Sequence, residues 1–230
     1  MSMRAWLDAA LLIRPPRLLH ALLPGCEWTG PRHALSGVPI IYLTFDDGPI
    51  PDETPWVLEQ LALFKAKATF FYVGQNLERY PDIARATLAA GHRVGNHTHQ
   101  HRSAWATGRA SYLADVAECQ VILGELEGVR AGRADYQFPR SLFRPPYGRL
   151  TWSLLRDLRA DYRVIMWSVL TRDYNPSLSP ESCLRDTLAT VRPGDVLVFH
   201  DSQKASARLR FVLPRLLAHL AGQGYQFSAL

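Results

Sequence analysis

An α/β barrel, closed or nearly closed, is the fold this sequence predicts. Short apolar, β-rich runs alternate with helical segments about seven times, which calls for a mainly parallel sheet. No internal repeat or low-complexity linker interrupts the alternation. The polar clusters Asp46-Asp47, His97 to His101, Arg144 and His200-Asp201 each fall just past the C-terminal end of a different expected strand. A barrel gathers all its strand ends around one mouth, whereas an open sheet concentrates its ligand at a single switch point. Four contributing strands favour the barrel.

Residues 38–45 are apolar and β-rich and read as a buried strand, broken by Asp46-Asp47-Gly48-Pro49. Thr54 before Pro55 has the form of an N-cap followed by proline at the first helical position, opening a helix. Residues 68–73 form a second strand, and 81–90 a second helix stopped by Gly91. A short strand over 93–96 runs into His97-Thr98-His99-Gln100-His101. Residues 111–126 keep Leu113, Val116, Ala117, Val121, Ile122 and Leu126 on one side of a helix. The polar stretch 127–141 reads as an excursion loop. Beyond it come a strand over 142–144, a helix over 151–158 and a strand over 162–170. Ser179 caps a helix beginning at Pro180, Pro193-Gly194 turns into a strand over 195–199, and a helix over 209–220 precedes a final strand at 225–227.

The 230 residues are 47% hydrophobic and 20% charged, proportions that let one domain fold on its own core. Residues 1–37 are expected as an N-terminal segment and 38–230 as the catalytic domain. The 26 basic and 21 acidic residues give +5, but the arginines are scattered without a dense run, which argues against nucleic-acid binding. Cys26, Cys119 and Cys183 are odd in number and widely spaced, so neither a disulfide framework nor a metal knuckle fits. No apolar run is long enough to span a membrane. Asp8 interrupts the apolar start and no A-x-A-like site follows, so the expectation is a cytoplasmic protein without a signal peptide. Leu18, Leu19, Leu22 and Leu23 form the apolar stripe of a short helix, expected to pack on the domain or else to touch the inner membrane face.

His97 and His101 are four residues apart, which on one helical turn places both imidazoles on the same face, with His99 pointing elsewhere. Two adjacent carboxylates at the end of a buried strand either form a solvated Asp-Gly turn or, if buried, need a cation or a metal to satisfy them. Two histidines and one aspartate leave open positions for water on zinc, the arrangement of a catalytic site. The neighbouring aspartate is then placed to take a proton from that water. Arg144 stands at a strand end before Pro145-Pro146, where its guanidinium can orient a carboxylate, or serve an ordinary ion pair. His200 follows four apolar residues, which hold it at the same mouth or make it a satisfied core histidine.

Taken together, Thr44-Phe45-Asp46-Asp47-Gly48-Pro49, Asn96-His97-Thr98-His99-Gln100-His101, Arg144-Pro145-Pro146-Tyr147-Gly148 and Val198-Phe199-His200-Asp201 resemble the motifs of the polysaccharide deacetylase family with the NodB-type domain, carbohydrate esterase family 4, in that family's order. The resemblance covers roughly residues 38 to 228. It implies a distorted (β/α) barrel that removes an N-acetyl group from an amino sugar with a divalent metal, usually zinc. By that resemblance Asp47, His97 and His101 are metal ligands, Asp46 the general base, and Arg144 the residue that holds it. His200 is the general acid, and the Tyr147 amide helps stabilise the oxyanion.

Two departures follow from the same comparison. In the fourth motif Leu170 stands where the family usually has the aspartate that tunes the catalytic histidine, with Tyr174 in place of a tryptophan, and in the last motif Val198 stands where leucine is common. The expectation is a less cationic His200, with Asp173 or Asp201 as substitute partners. The implied partner is an N-acylated amino sugar or oligosaccharide, soluble or lipid-linked. The alternatives are a deformylase or amidase acting on another small amide, and a carbohydrate-binding pseudoenzyme.

Overall fold

The computed structural model describes residues 13–126, 128 and 140–230. Most of the loop expected at 127–141 and the first part of the N-terminal segment lie outside the described residues. The chain builds a nine-stranded sheet with the order β1-β6-β5-β4-β3-β2-β8-β7, in which β9 also pairs with β2. The strands are β1 (Cys26–Glu27), β2 (Ile40–Asp46), β3 (Ala68–Tyr72), β4 (Arg93–Asn96), β5 (Ser141–Phe143), β6 (Tyr162–Ile165), β7 (Val169–Leu170), β8 (Val196–His200) and β9 (Gln226–Phe227). Every ladder between them is parallel. The sheet curls into a distorted barrel, and its two ends approach where Thr29 makes a single antiparallel bridge to Asp195.

Strand β2 is the axis of the molecule. All seven of its residues are buried, as its unbroken apolar run requires of a central parallel strand. Alternation divides them between two environments. Ile41, Leu43 and Phe45 face the outer core, where they meet Phe70, Phe199 and the apolar face of α8 (Ser206–Gly222). Ile40 and Tyr42 turn the other way and pack with Phe71, Leu142, Ile165 and Val196 inside the barrel. The same inward series continues through Thr44 to Asp46. A separate cluster of Tyr112, Val116, Phe143, Leu154, Leu158 and Val164 seats α5 (Arg109–Leu126) and α6 (Trp152–Asp161).

Several expectations are corrected. The helix after β2 is α2 (Glu53–Leu63), and it begins before Thr54 with Asp52 at its N-cap position. Thr54 does not cap it, because its hydroxyl is committed to Asp201. A short helix, α3 (Gly74–Arg79), precedes α4 (Pro81–Ala89), with no spacer long enough for the pattern to separate them. The strand expected over 162–170 is two: β6 pairs with β5 and β1, while β7 pairs with β8. Residues 166–168 carry the chain between them. The helix α7 (Pro180–Leu188) starts where expected, with Ser179 Oγ accepting the Ser182 N–H.

The N-terminal segment is clasped to the domain through polar and aromatic contacts. Arg14 donates to the Thr190 carbonyl at 2.8 Å and pairs with Asp195. His20, on α1 (Arg17–Leu22), stacks on Trp28 with ring centroids 4.3 Å apart. Of the four leucines expected to pack inward, only Leu23 does so, against the second cluster. Leu18, Leu19 and Leu22 are exposed, because His20 and Arg14 set which way this short helix faces.

Phe45 lies between Phe70 and Phe199, with centroids at 5.0 and 5.7 Å. Phe45→Ala is expected to cost about 3–5 kcal/mol of unfolding free energy, measured by denaturant titration.

Candidate active site

The ends of four strands, β2, β4, β5 and β8, converge on the barrel mouth, and their register is fixed by backbone pairing. In the ladder between β2 and β8, Asp46 lies opposite His200. Asp201 N–H then donates to the Asp46 carbonyl at 3.1 Å, continuing the pairing one residue past the strand. Arg144 follows β5, and its N–H donates to the Asn96 carbonyl at 3.0 Å.

Arg144 is fully buried. Its Nη1 donates to Asp46 Oδ1 at 2.8 Å and to Thr44 Oγ1 at 2.7 Å. Nη2 donates to the Met166 carbonyl at 2.9 Å and Nε to the Ile165 carbonyl at 3.3 Å. The Phe71 ring lies under the guanidinium at 4.2 Å. Burial pulls the Arg144 pKa down from its ordinary value, and the Asp46 carboxylate opposes that. Of the two roles open to Arg144 in the sequence, the structure shows it holding a carboxylate.

Asp47 turns away from the strand with φ 82°. Its carbonyl accepts a hydrogen bond from Asn76 Nδ2 at 2.7 Å, so α3, which the pattern missed, anchors it. The segment after β4 is not a helical turn. Thr98 and His101 adopt φ values of 63° and 53°, and the loop rather than a helix brings the imidazoles of His97 and His101 together, 5.0 Å apart. Asn96 Oδ1 accepts the Thr98 N–H, and Asp115 Oδ2 accepts the N–H groups of both His99 and Gln100. These short polar side chains replace the helical hydrogen bonds.

Asp47 Oδ1 lies 3.8 Å from His97 Nε2 and 3.2 Å from His101 Nε2. One ligand atom from each of Asp47, His97 and His101 lies within 4.8 Å of the others. His97 Nδ1 is 2.8 Å from the Arg144 carbonyl, which can only accept, so Nδ1 carries the proton and Nε2 presents its lone pair. Burial lowers the His97 pKa to about 4, with nearby carboxylates opposing, so the ring is neutral near pH 7. Asp47 is held well below the usual carboxylate range: burial opposes this, but a hydrogen bond to His101 and the neighbouring histidines outweigh it. One carboxylate oxygen and two imidazole nitrogens suit a borderline divalent cation. His99 is not part of this cluster; its Nε2 approaches Glu118 at 3.5 Å and Glu78 at 3.9 Å.

His200 overturns the expectation built on Leu170. Asp173, fully buried, accepts from His200 Nδ1 at 2.7 Å through Oδ1 and from the His200 N–H at 2.8 Å through Oδ2. Burial opposes charge on the ring, but Asp173, with help from Asp47 and Asp46, outweighs it and raises the His200 pKa to about 9. The histidine is therefore more cationic than an ordinary one. Leu170 belongs to β7 and pairs with Val198, so no carboxylate at that position is needed. Arg208 Nε in turn holds the Asp173 carbonyl. Asp201, the other candidate, is occupied elsewhere: it accepts Thr54 Oγ1 at 2.6 Å and the Gly48 N–H at 3.1 Å. Tyr174 packs edge-on against His200 with centroids 5.0 Å apart. Tyr147, with φ 60°, places its exposed ring 4.7 Å from that of His101.

A barrel mouth that joins a carboxylate–imidazole pair, a second carboxylate clamped by arginine, and a cationic histidine has the equipment of an amide hydrolase. The pattern of the polysaccharide deacetylase family matches residues 36–164, more than half of the chain. A chitooligosaccharide deacetylase of Sinorhizobium fredii is 39% identical over 216 residues, covering 88% of this chain and 94% of that protein. A peptidoglycan-N-acetylglucosamine deacetylase of Bacillus cereus is 33% identical over 192 residues, covering 82% of this chain and 84% of the relative. The solved structure of the peptidoglycan deacetylase PdaC from Bacillus subtilis superposes with a TM-score of 0.74 at 27% identity, covering 86% of this chain and 90% of that one. The chain belongs to the polysaccharide deacetylase family, hydrolases of N-acetyl amide bonds.

Asp173→Asn removes the charge that raises His200. The imidazolium is then lost at lower pH, and the alkaline limb of the kcat/KM profile is expected to move down by about one unit or more. A His200 titration followed by NMR checks the same shift without turnover.

Proposed function

We propose that this protein removes the N-acetyl group from an amino-sugar unit of a glycan, with a divalent cation, zinc first, held by Asp47, His97 and His101. The observation that carries the reading is the pair of ion-paired groups on neighbouring strands, Asp46 with Arg144 and His200 with Asp173. They flank the cluster of Asp47, His97 and His101 as a base and an acid would. A cation held there supplies Lewis acidity to the amide carbonyl and to the attacking water.

The chain's own groups do the proton work. Asp46 accepts the proton of the attacking water, and Arg144 keeps its carboxylate aimed while occupying one of its oxygens. As the carbonyl carbon becomes tetrahedral, the Tyr147 amide donates to the oxyanion. His200 enters the reaction as imidazolium and gives its proton to the departing amine nitrogen. An amine cannot leave as an anion, so this transfer is required for the carbon–nitrogen bond to break. Asp173 stabilises the protonated ring in the resting state. After the acetate and amine depart, Asp46 gives its proton up to water and His200 takes one back from it.

The substrate class, an N-acylated amino sugar or oligosaccharide, is supported by relatives named for chitooligosaccharide and peptidoglycan. Exposed Leu18, Leu19 and Leu22 on α1 support a peripheral membrane contact that brings lipid-linked glycans within reach. Co-sedimentation with anionic vesicles is expected for the parent and reduced in Leu18→Ser/Leu22→Ser.

Metal analysis of untagged protein is expected to find about one divalent ion per chain, lost in Asp47→Ala and His97→Ala. Acetate release from N-acetylated oligosaccharides is expected to fall by about 10²–10⁴-fold in His200→Ala and in Asp46→Asn, with metal retained. Full metal occupancy and no acetate from any such glycan would overturn the reading.

A further inference from the structure

Beyond the metal-ligating cluster, an exposed ledge runs outward from His101. The Tyr147 ring packs 4.7 Å from the His101 ring. Arg149 follows on the same loop, with its guanidinium 5.4 Å from the Tyr147 ring and 5.1 Å from the Trp105 ring. Trp105 belongs to the loop that leaves His101, in a turn closed by the Ala106 N–H on the Ser103 carbonyl. Its indole N–H donates to the Leu150 carbonyl at 3.3 Å, tying the two loops together. The ring is nevertheless 67% exposed.

That hydrogen bond joins the loops but leaves the face of the indole uncovered. An exposed indole costs hydration free energy unless something covers it. Arg149 is itself exposed and has no carboxylate partner among the described residues; the two rings are its contacts. Resting against two rings, its guanidinium is ordered while its N–H groups stay available to a ligand. Tryptophan and arginine are the residues that most often carry binding energy at such a surface.

We propose that Trp105 and Arg149 form a subsite for the sugar next to the one whose amide is cleaved, Trp105 stacking on the C–H face of its ring and Arg149 pairing with a carboxylate that this sugar carries. The proposal rests on the deacetylase reading and names its substrate class: an oligosaccharide in which an N-acetylated amino sugar adjoins a carboxylate-bearing unit. Tyr147 borders both positions, so the ledge continues from the reacting centre. A bidentate arginine–carboxylate contact would also set the direction in which the glycan lies.

The test compares Trp105→Ala, Trp105→Phe, Arg149→Gln and the parent on neutral N-acetylglucosamine oligomers of increasing length and on a glycan with alternating carboxylated sugars. The parent is expected to gain in kcat/KM with length. Trp105→Ala is expected to lose about tenfold of that gain through KM, with kcat unchanged and Trp105→Phe restoring most of it. Arg149→Gln is expected to lose about tenfold on the carboxylated glycan alone, and the parent's advantage there to shrink with added salt. Equal loss on every substrate, or none, overturns the subsite. Calorimetric binding of the same glycans to Asp46→Asn protein separates the two readings. Length-dependent binding that disappears in Asp46→Asn/Trp105→Ala upholds the subsite even where no acetate is released.

Discussion

A guanidinium without access to solvent has to be answered on every side, and Arg144 is. Asp46 from β2, Thr44 from the same strand, the carbonyls of Ile165 and Met166 and the ring of Phe71 together surround it. Breaking such a pair by removing one partner costs on the order of 3–5 kcal/mol, since the other charge is left buried. That cost ties the position of the Asp46 carboxylate to the closure of the barrel. Strands β2, β3, β5 and β6 must all be in place before the charge is satisfied. The group that would accept a proton is therefore aimed by the same contact that fills the mouth of the sheet.

The second constraint is register. Because β2 and β8 pair with Asp46 opposite His200, a slip of either strand by one residue would send its side chain to the wrong face and separate the two. Asp201 secures this junction from the far side. It accepts the Gly48 N–H and the Thr54 hydroxyl while its own N–H bonds the Asp46 carbonyl. A side chain at Gly48 would put Cβ 2.2 Å from Asp201 Oδ2, so the glycine is required by close approach. The turn bearing Asp47 and the strand bearing His200 are thus locked to each other.

Much of this was legible in the sequence because it is periodic or local. The apolar run of β2, the glycine and proline breaks and the polar residues just beyond each strand identify a barrel with one working mouth. What was illegible depends on contacts between distant segments. Thr54 looks like a helix cap, yet its partner is Asp201, far along the chain. His97 and His101 have helical spacing, but Asn96 and Asp115 hold them in a loop with left-handed residues. Leu170 suggested a weakened acid with Asp173 or Asp201 as substitutes, and only the fold chooses: Asp173 reaches the ring because β7 ends before it. A motif position records where a residue sits in a string; the hydrogen bond depends on where the strand stops.

The left-handed backbone around the mouth has a consequence for how this protein can change. Asp47, Thr98, His101 and Tyr147 all hold positive φ, a conformation that costs a non-glycine residue about 1–2 kcal/mol. At each of them glycine would relax the main chain. At Asp47 and His101 that same exchange would delete a donor atom from the cluster. Selection for heat resistance alone would therefore drift toward glycine at these positions and accumulate sturdy, inert barrels. Only selection for turnover keeps the strained residues in place, so the working form of this mouth lies off the summit of its own stability landscape.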